Sequence, residues 1–220
     1  MTTRQSLSNV NRLAIAAVVA VTSASCGSEL MRTGRAPVFL TITQIEAAKG
    51  DDPSTFVASL LSDVQTIVEQ QIGGVTVQVP TIFNDLGRAT IRVDLKDQGF
   101  VLAQGGTAIT TPIQSVTITR YRVSFRRADG RNAPGVDVPF GFDGATTATI
   151  PVGSSAGVVF DLVRHANKSE PPLANLIGGG GSIFISTVAE ITFFGRDQNG
   201  NEVTVTGLMD VTFADFGDSE

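Results

Sequence analysis

The chain has 220 residues, of which 42% are hydrophobic, 17% charged and 6% aromatic. Its single Cys and single His exclude a thiolate zinc site, a disulfide framework and a His-rich metal centre, so no metal and no cofactor is expected. The formal net charge of −5 argues against a nucleic-acid-binding domain, because neutralising phosphates requires a basic surface.

The first 25 residues have the pattern of a secretory signal peptide. Arg4 and Arg12 occur without any acid, the apolar run 13–21 follows, and small residues occupy positions 22–25. A nine-residue run with a rise of ~1.5 Å per residue is too short for the ~30 Å hydrocarbon core of a bilayer. We therefore predict an exported protein with signal peptide 1–25 and no permanent membrane span.

The only Cys of the chain, Cys26, follows this leader directly. The segment Ser23-Ala24-Ser25-Cys26-Gly27 resembles the processing site of bacterial lipoproteins. The resemblance implies that Cys26 is acylated, becomes the mature N-terminus and attaches the protein to the membrane of the cell envelope. The alternative is ordinary signal cleavage, which leaves a free thiol near the N-terminus. Residues 26–37 are then a lipidated N-terminus and flexible tether, and the chain from Cys26 carries 14 Lys and Arg against 21 acids, a net charge of −7.

Most of the remaining chain alternates between apolar and polar residues, which is typical of half-buried strands. The period of two occurs in residues 38–45, 75–79 and 89–95, and residues 145–150 and 157–164 form two further short runs. One segment predicts a helix over 53–64, because Asp52 and Pro53 suit a helix start and Phe56, Leu60 and Val64 follow at helical spacing.

The last two strands are predicted to form a hairpin whose loop can be chosen by burial. A two-residue loop, Asn199-Gly200, would place the two apolar sets of side chains on opposite faces. A three-residue loop, Gln198-Asn199-Gly200 with Gly200 left-handed, pairs Asp197 with Asn201 and aligns positions 193 with 205, 191 with 207 and 189 with 209. Because this register puts both apolar sets on one face, we favour the three-residue loop.

Two more features complete the predicted architecture. The apolar positions change parity between Ile118 and Tyr121, which indicates a β-bulge near Thr119 and Arg120. The turn residues 128–130 indicate that a second hairpin begins there. Residues 38–217 are thus predicted to be one all-β domain, a single antiparallel β-sandwich of about seven to ten strands. In pattern only, it resembles immunoglobulin- and fibronectin-like domains.

The candidate polar site is a stripe of three arginines, Arg120, Arg122 and Arg126, on the polar side of one strand. Such a stripe suits an anionic partner such as a phosphorylated lipid headgroup, an acidic glycan or a protein carboxylate. The alternative is a solvated strand face, or cross-strand pairing with Glu190 or Asp210. The even-numbered face of the C-terminal hairpin also carries apolar residues, which we expect the fold to cover: Phe184, Val188, Phe194 and Leu208.

No catalytic set emerges from the sequence. We expect a non-catalytic envelope lipoprotein that binds or scaffolds a protein or glycan, with an unknown oligomeric state. One alternative is an exported hydrolase that uses His165 or the paired acids Asp137 and Asp143. Another is an adhesion module in which Asp137, Asp143 and Asp161 bind calcium.

Overall fold

The computed structural model of the protein describes residues 36–96 and 115–216. The predicted signal peptide, Cys26 and all but the last two residues of the predicted tether lie outside these residues. The described part of the chain contains ten strands: β1 (Val38–Ala48), β2 (Ser59–Asp63), β3 (Thr66–Ile72), β4 (Val75–Thr81), β5 (Asp85–Leu95), β6 (Ser115–Arg126), β7 (Phe142–Pro151), β8 (Ser155–Val163), β9 (Phe184–Asp197) and β10 (Glu202–Ala214). The prediction of an all-β protein is confirmed.

The strands form three sheets. A three-stranded sheet has the order β1-β5-β8, and a five-stranded sheet has the order β2-β10-β9-β6-β7. Within the described ranges, strands β3 and β4 pair only with each other. Strand β2 runs parallel to β10, whereas all other pairs are antiparallel, so the prediction of a purely antiparallel sandwich is wrong on this point.

The two larger sheets pack their apolar faces together. Phe160 of β8 and Phe193 of β9 meet edge to face with ring centroids 5.2 Å apart, and Tyr121 of β6 lies 5.3 Å from Phe160. The hydroxyl oxygen of Tyr121 accepts a hydrogen bond of 3.1 Å from the backbone N–H of Asp161. Tyr121 therefore connects the two sheets: its buried ring packs against Phe160, and its hydroxyl oxygen accepts a hydrogen bond from the backbone of β8.

The strand directions give the two packed sheets two distinct ends. At the near end lie Val38, the first residue of β1, and the short turns 152–154 and 198–200. At the far end, β1, β2, β6, β8 and β10 finish and β5, β7 and β9 begin. The far end therefore carries the long connections 49–58, 127–141 and 164–183, and the base of the β3–β4 hairpin.

The predicted helix over 53–64 is wrong. Residues 53–54 form a turn, and Leu60 and Val64 are buried in and just after the parallel strand β2. The described residues contain a short helix elsewhere, α1 (His165–Ser169), which is followed by a 3-10 turn at Leu173–Leu176. None of the helices in residues 36–96 and 115–216 is long and apolar enough to cross a membrane.

The C-terminal hairpin has the predicted three-residue loop. Phe193 pairs with Val205, Ile191 with Gly207 and Ala189 with Met209. The backbone N–H of Asp197 donates to the carbonyl of Asn201 at 3.0 Å, and Gly200 has a φ of +81°, which requires glycine or a strained side chain.

The predicted bulge in β6 is confirmed, and the predicted hairpin that follows β6 is confirmed in part. The register of β6 with both β7 and β9 shifts between Ile118 and Arg120, as expected for a bulge. After the turn at 128–130 the chain does return antiparallel as β7, but through the long connection 127–141 instead of a tight hairpin.

Candidate binding surface

The three predicted arginines lie together on the outer face of the five-stranded sheet. On β6, Arg120, Arg122 and Arg126 stand opposite Phe194, Thr192 and Val188 of β9. Their side chains are 46%, 54% and 65% exposed, so the stripe is open to solvent. The fold thus brings the predicted residues onto one surface.

Each arginine of the stripe has an acidic partner. Arg122 forms two hydrogen bonds to Asp143 of β7, at 2.9 and 3.1 Å, and Arg120 lies 3.7 Å from the same carboxylate. Arg126 pairs with Glu190 at 2.8 Å, as the alternative interpretation expected. Three guanidinium groups therefore face two carboxylates, and most of their charge is balanced within the sheet.

The pairing between Arg122 and Asp143 favours the charged form of both side chains. The hydrogen bonds from Arg122, followed by its charge, lower the pKa of the Asp143 carboxyl, and they raise the pKa of the Arg122 guanidinium. Asp143 therefore stays ionised and forms ion pairs with both Arg120 and Arg122. The sequence placed Asp143 in a hydrolase or calcium hypothesis, and only the β6–β7 register reveals its partner.

An aromatic ring lies beneath two of the guanidinium groups. The Arg120 group lies 4.0 Å from the centroid of the Phe194 ring, and the Arg122 group lies 6.0 Å from it. Such cation–π contacts stabilise a half-exposed ring while leaving the cation accessible. Beside the ring is a shallow pocket of about 130 Å³, lined by Thr119, Arg120, Phe194, Gly195, Arg196, Glu202, Val203 and Thr204.

The expectation that the fold covers the apolar residues of this face is wrong for two of them. Phe184 is 62% exposed and Leu208 is 61% exposed. Val188 and Phe194 are half-buried, Phe194 by the arginine above it.

Exposed apolar side chains also occur at the far end of the fold. On the connections 127–141 and 164–183 and at the start of β9, those that are at least 40% exposed are Val136, Phe140, Ile177, Ile183 and Phe184. We call these five residues the far-end apolar set. The side-chain amide of Asn167 in α1 donates to the Phe140 carbonyl at 2.8 Å, so the two connections are in contact. The far-end apolar set is therefore a candidate contact surface.

The candidate catalytic and calcium-binding residues have separate structural contacts. The Nδ1 atom of exposed His165 lies 3.3 Å from the hydroxyl of Ser169, one turn later in α1. The carboxylate of Asp137 accepts a hydrogen bond from the Ala133 N–H inside the 127–141 connection, whereas Asp143 binds Arg122. Within the two described ranges, no three His, Cys, Asp or Glu residues come together as metal ligands.

A buried ionic cluster that no sequence motif predicted lies below the far end. The Lys168 amino group lies 2.9 Å from the Asp85 carboxylate, which also accepts hydrogen bonds from the Ser62 hydroxyl at 2.6 Å and the Gly50 N–H at 2.9 Å. Burial raises the pKa of Asp85, and the charge of Lys168 opposes that shift. No local pattern marks these residues as partners, because they lie on four separate segments.

Comparisons with known proteins do not identify a family. No protein-family model and no curated protein sequence matches the chain. One solved structure, described as the X-ray structure of Northeast Structural Genomics Consortium target SoR45, has 10% sequence identity and a TM-score of 0.31. The alignment covers 81% of this chain and 86% of that chain.

Proposed function

We propose that the protein is a non-catalytic, lipid-anchored module of the bacterial cell envelope that binds another protein through the far end of its sandwich. A glycan bound at the arginine stripe is the second candidate. The observation that carries the proposal is the far-end apolar set, whose side chains are 40–71% exposed on connected loops. The immunoglobulin-like description of the domain is part of this proposal, supported by the two packed sheets.

The position of the N-terminus supports the far end as the binding end. The described chain begins at Ala36, at the near end, and the eleven residues 26–36 join it to the expected lipid anchor. At ~3.3 Å per residue this segment extends at most about 36 Å. A membrane attached through Cys26 would then lie within about 36 Å of the near end, and this length lets the far end point away from it.

Site-specific photo-crosslinking in cells tests the protein-binding proposal. A photoreactive residue at Phe184 or Ile183 should capture a partner, whereas the same residue at Thr204 should not. Thr204 is an exposed residue of β10 near the opposite end and is therefore a matched control. Phe184→Asp should abolish capture from Ile183, and equal capture from Thr204 would contradict a far-end site.

The glycan alternative predicts that binding depends on the arginine stripe and not on Phe184. Charge reversal of Arg120, Arg122 and Arg126 should then weaken binding of an acidic glycan, because an anionic group would have to replace Asp143 and Glu190 as their partner. Unchanged binding would remove the stripe from consideration. The Phe184→Asp variant serves as the control, since it leaves the stripe intact.

The anchor is tested separately from the partner. We expect the N-terminal peptide of the membrane-associated protein to carry acyl chains on Cys26, and Cys26→Ser to be unprocessed or released. An unmodified N-terminus in the soluble fraction would overturn the anchor.

A further inference from the structure

The β3–β4 hairpin, residues 66–81, is an arm that projects from the far end of the sandwich. Among residues 36–96 and 115–216, its strands pair only with each other, and none of its residues belongs to the hydrophobic core. Gly73 and Gly74 form its tip with φ values of +62° and +85°. A two-stranded hairpin without a third layer is at best marginally stable in water, so its exposed state points to a partner.

The pairing register sorts the side chains of the arm onto two different faces. Cross-strand partners share a face of the ribbon, and successive residues alternate between faces. One face carries the pairs formed by Val68 with Val79, Gln70 with Val77 and Ile72 with Val75. We call it the arm's apolar face. Three of its side chains are exposed to solvent: Ile72 is 58% exposed, Val75 63% and Val77 39%.

The opposite face of the arm is polar towards the tip. It carries Gln71 paired with Thr76 and Glu69 paired with Gln78, and Ile67 paired with Pro80 lies at its base. Glu69 is the one charged residue between positions 66 and 81. The apolar face therefore bears no charge, although the whole chain has a net charge of −5.

We propose that the arm's apolar face is a self-association site that binds the same face of a second copy of this chain. Two acidic molecules repel each other across most of their surfaces, but this face brings no like charges together. A two-fold axis between two arms would stack them as two layers about 10 Å apart, so that each arm becomes the missing layer of the other.

The size of the contact sets the expected strength. Two arm tips together contribute six partly exposed aliphatic side chains, less than the roughly 1,200 Å² that stable interfaces bury. We therefore expect a reversible dimer with a dissociation constant on the order of 100 μM. A lipid surface fits the face less well, since membrane-inserting segments use aromatic and basic residues and residues 66–81 contain neither.

Analytical ultracentrifugation of the full chain in a non-ionic detergent tests the association. The average mass of the wild type should rise from monomer towards dimer as the concentration increases to about 1 mM. Val75→Lys should weaken the dimer at least ten-fold, whereas Thr76→Lys, which puts the same charge on the polar face, should leave it within about two-fold. A wild type that stays monomeric throughout overturns the proposal, as does equal loss in both variants.

Disulfide trapping gives a second test, in which cysteines are introduced alternately on the apolar and the polar face of the arm. In a Cys26→Ser background an introduced cysteine is the only thiol of the chain. Val75→Cys and Val77→Cys should form cross-linked dimers under mild oxidation, and Thr76→Cys and Gln78→Cys should not. Trapping that is equal at all four positions, or absent at all four, contradicts face-to-face pairing. Binding of wild type, but not Val75→Lys, to phosphatidylcholine vesicles without dimer formation would assign the face to lipid and overturn the proposal.

Discussion

Lys168 and Asp85 form a buried ion pair, with Nζ and Oδ1 2.9 Å apart across 83 residues of sequence. Their side chains are only 2% and 1% exposed. The pair joins α1 to the start of β5, and the bonds of Asp85 to Ser62 and Gly50 add β2 and the connection after β1. It therefore holds together the base from which the far-end connections and the arm project.

Replacing the cation of this pair should destabilise the whole domain. Lys168→Met leaves the Asp85 carboxylate buried without a counter-charge, and we expect a loss of about 3–5 kcal/mol in the free energy of unfolding at neutral pH. Urea denaturation measures it. Arg126→Met, which breaks the exposed pair with Glu190, should cost less than about 1 kcal/mol and serves as the control. Equal losses in the two variants would contradict a special role for the buried pair.

The penalty of Lys168→Met should depend on pH. Burial raises the pKa of Asp85 above the ordinary value of 3.8, and removing Lys168 leaves that effect less opposed. The folded chain then binds the proton more tightly than the unfolded chain. The stabilisation from Asp85 is thus full below the unfolded pKa and is lost as the pH rises through the folded pKa.

We therefore expect the stability difference between wild type and Lys168→Met to be small near about pH 4 and to grow towards pH 7. Urea titrations at several pH values measure this difference. The double variant Asp85→Asn, Lys168→Met has neither titrating group and should lack the extra slope. A difference that shrinks with rising pH would reverse the assigned sign.

A glycine of β7 leaves room for the central tyrosine. A Cβ atom at Gly144 would overlap the ring of Tyr121, whose hydroxyl accepts the bond from Asp161. Gly144→Ala should therefore cost about 1–3 kcal/mol of unfolding free energy through overpacking. Gly157→Ala, on β8, meets no atom within 4 Å and should change stability by less than about 0.5 kcal/mol. Chemical denaturation of both variants distinguishes overpacking from a general glycine effect.

The carboxylate of Asp197 organises the loop of the C-terminal hairpin. It accepts hydrogen bonds from the backbone N–H groups of Asn199 at 2.9 Å and Asn201 at 2.8 Å, and from the Asn201 side-chain amide at 2.8 Å. Asp197→Ala should lower the unfolding free energy by about 1–3 kcal/mol, because partly buried donors lose their acceptor. Asp210→Ala, at an exposed position of β10, should have little effect on the thermal or urea midpoint.

The predicted helix over 53–64 shows why local spacing was insufficient. Leu60 and Val64 are four residues apart. This interval fits about one turn of a helix, and it also fits two periods of the two-residue alternation of a strand. The structure uses the second option, with Leu60 paired in parallel with Val211 of β10. A partner about 150 residues away decided the conformation, and no window around residue 60 contains that information.

The arginine stripe was predictable as a surface but not as an electrostatic unit. Alternation along β6 placed Arg120, Arg122 and Arg126 on one face, because side chains two residues apart in a strand point the same way. The register of β6 with β7 brought Asp143 opposite Arg122. That register follows a bulge and a long connection, so the pairing could not be counted from a turn.

The sequence by itself determined the features that depend on near neighbours: the strand alternation, the bulge in β6, and the three-residue loop ending at Gly200. Backbone preferences and the two-residue period act over a few positions, and burial then selects one register. Only the tertiary structure decided the parallel β2–β10 pair, the burial of Lys168 against Asp85 and the exposure of the arm. Those outcomes depend on which distant segments bury one another, and that is a property of the whole packed chain.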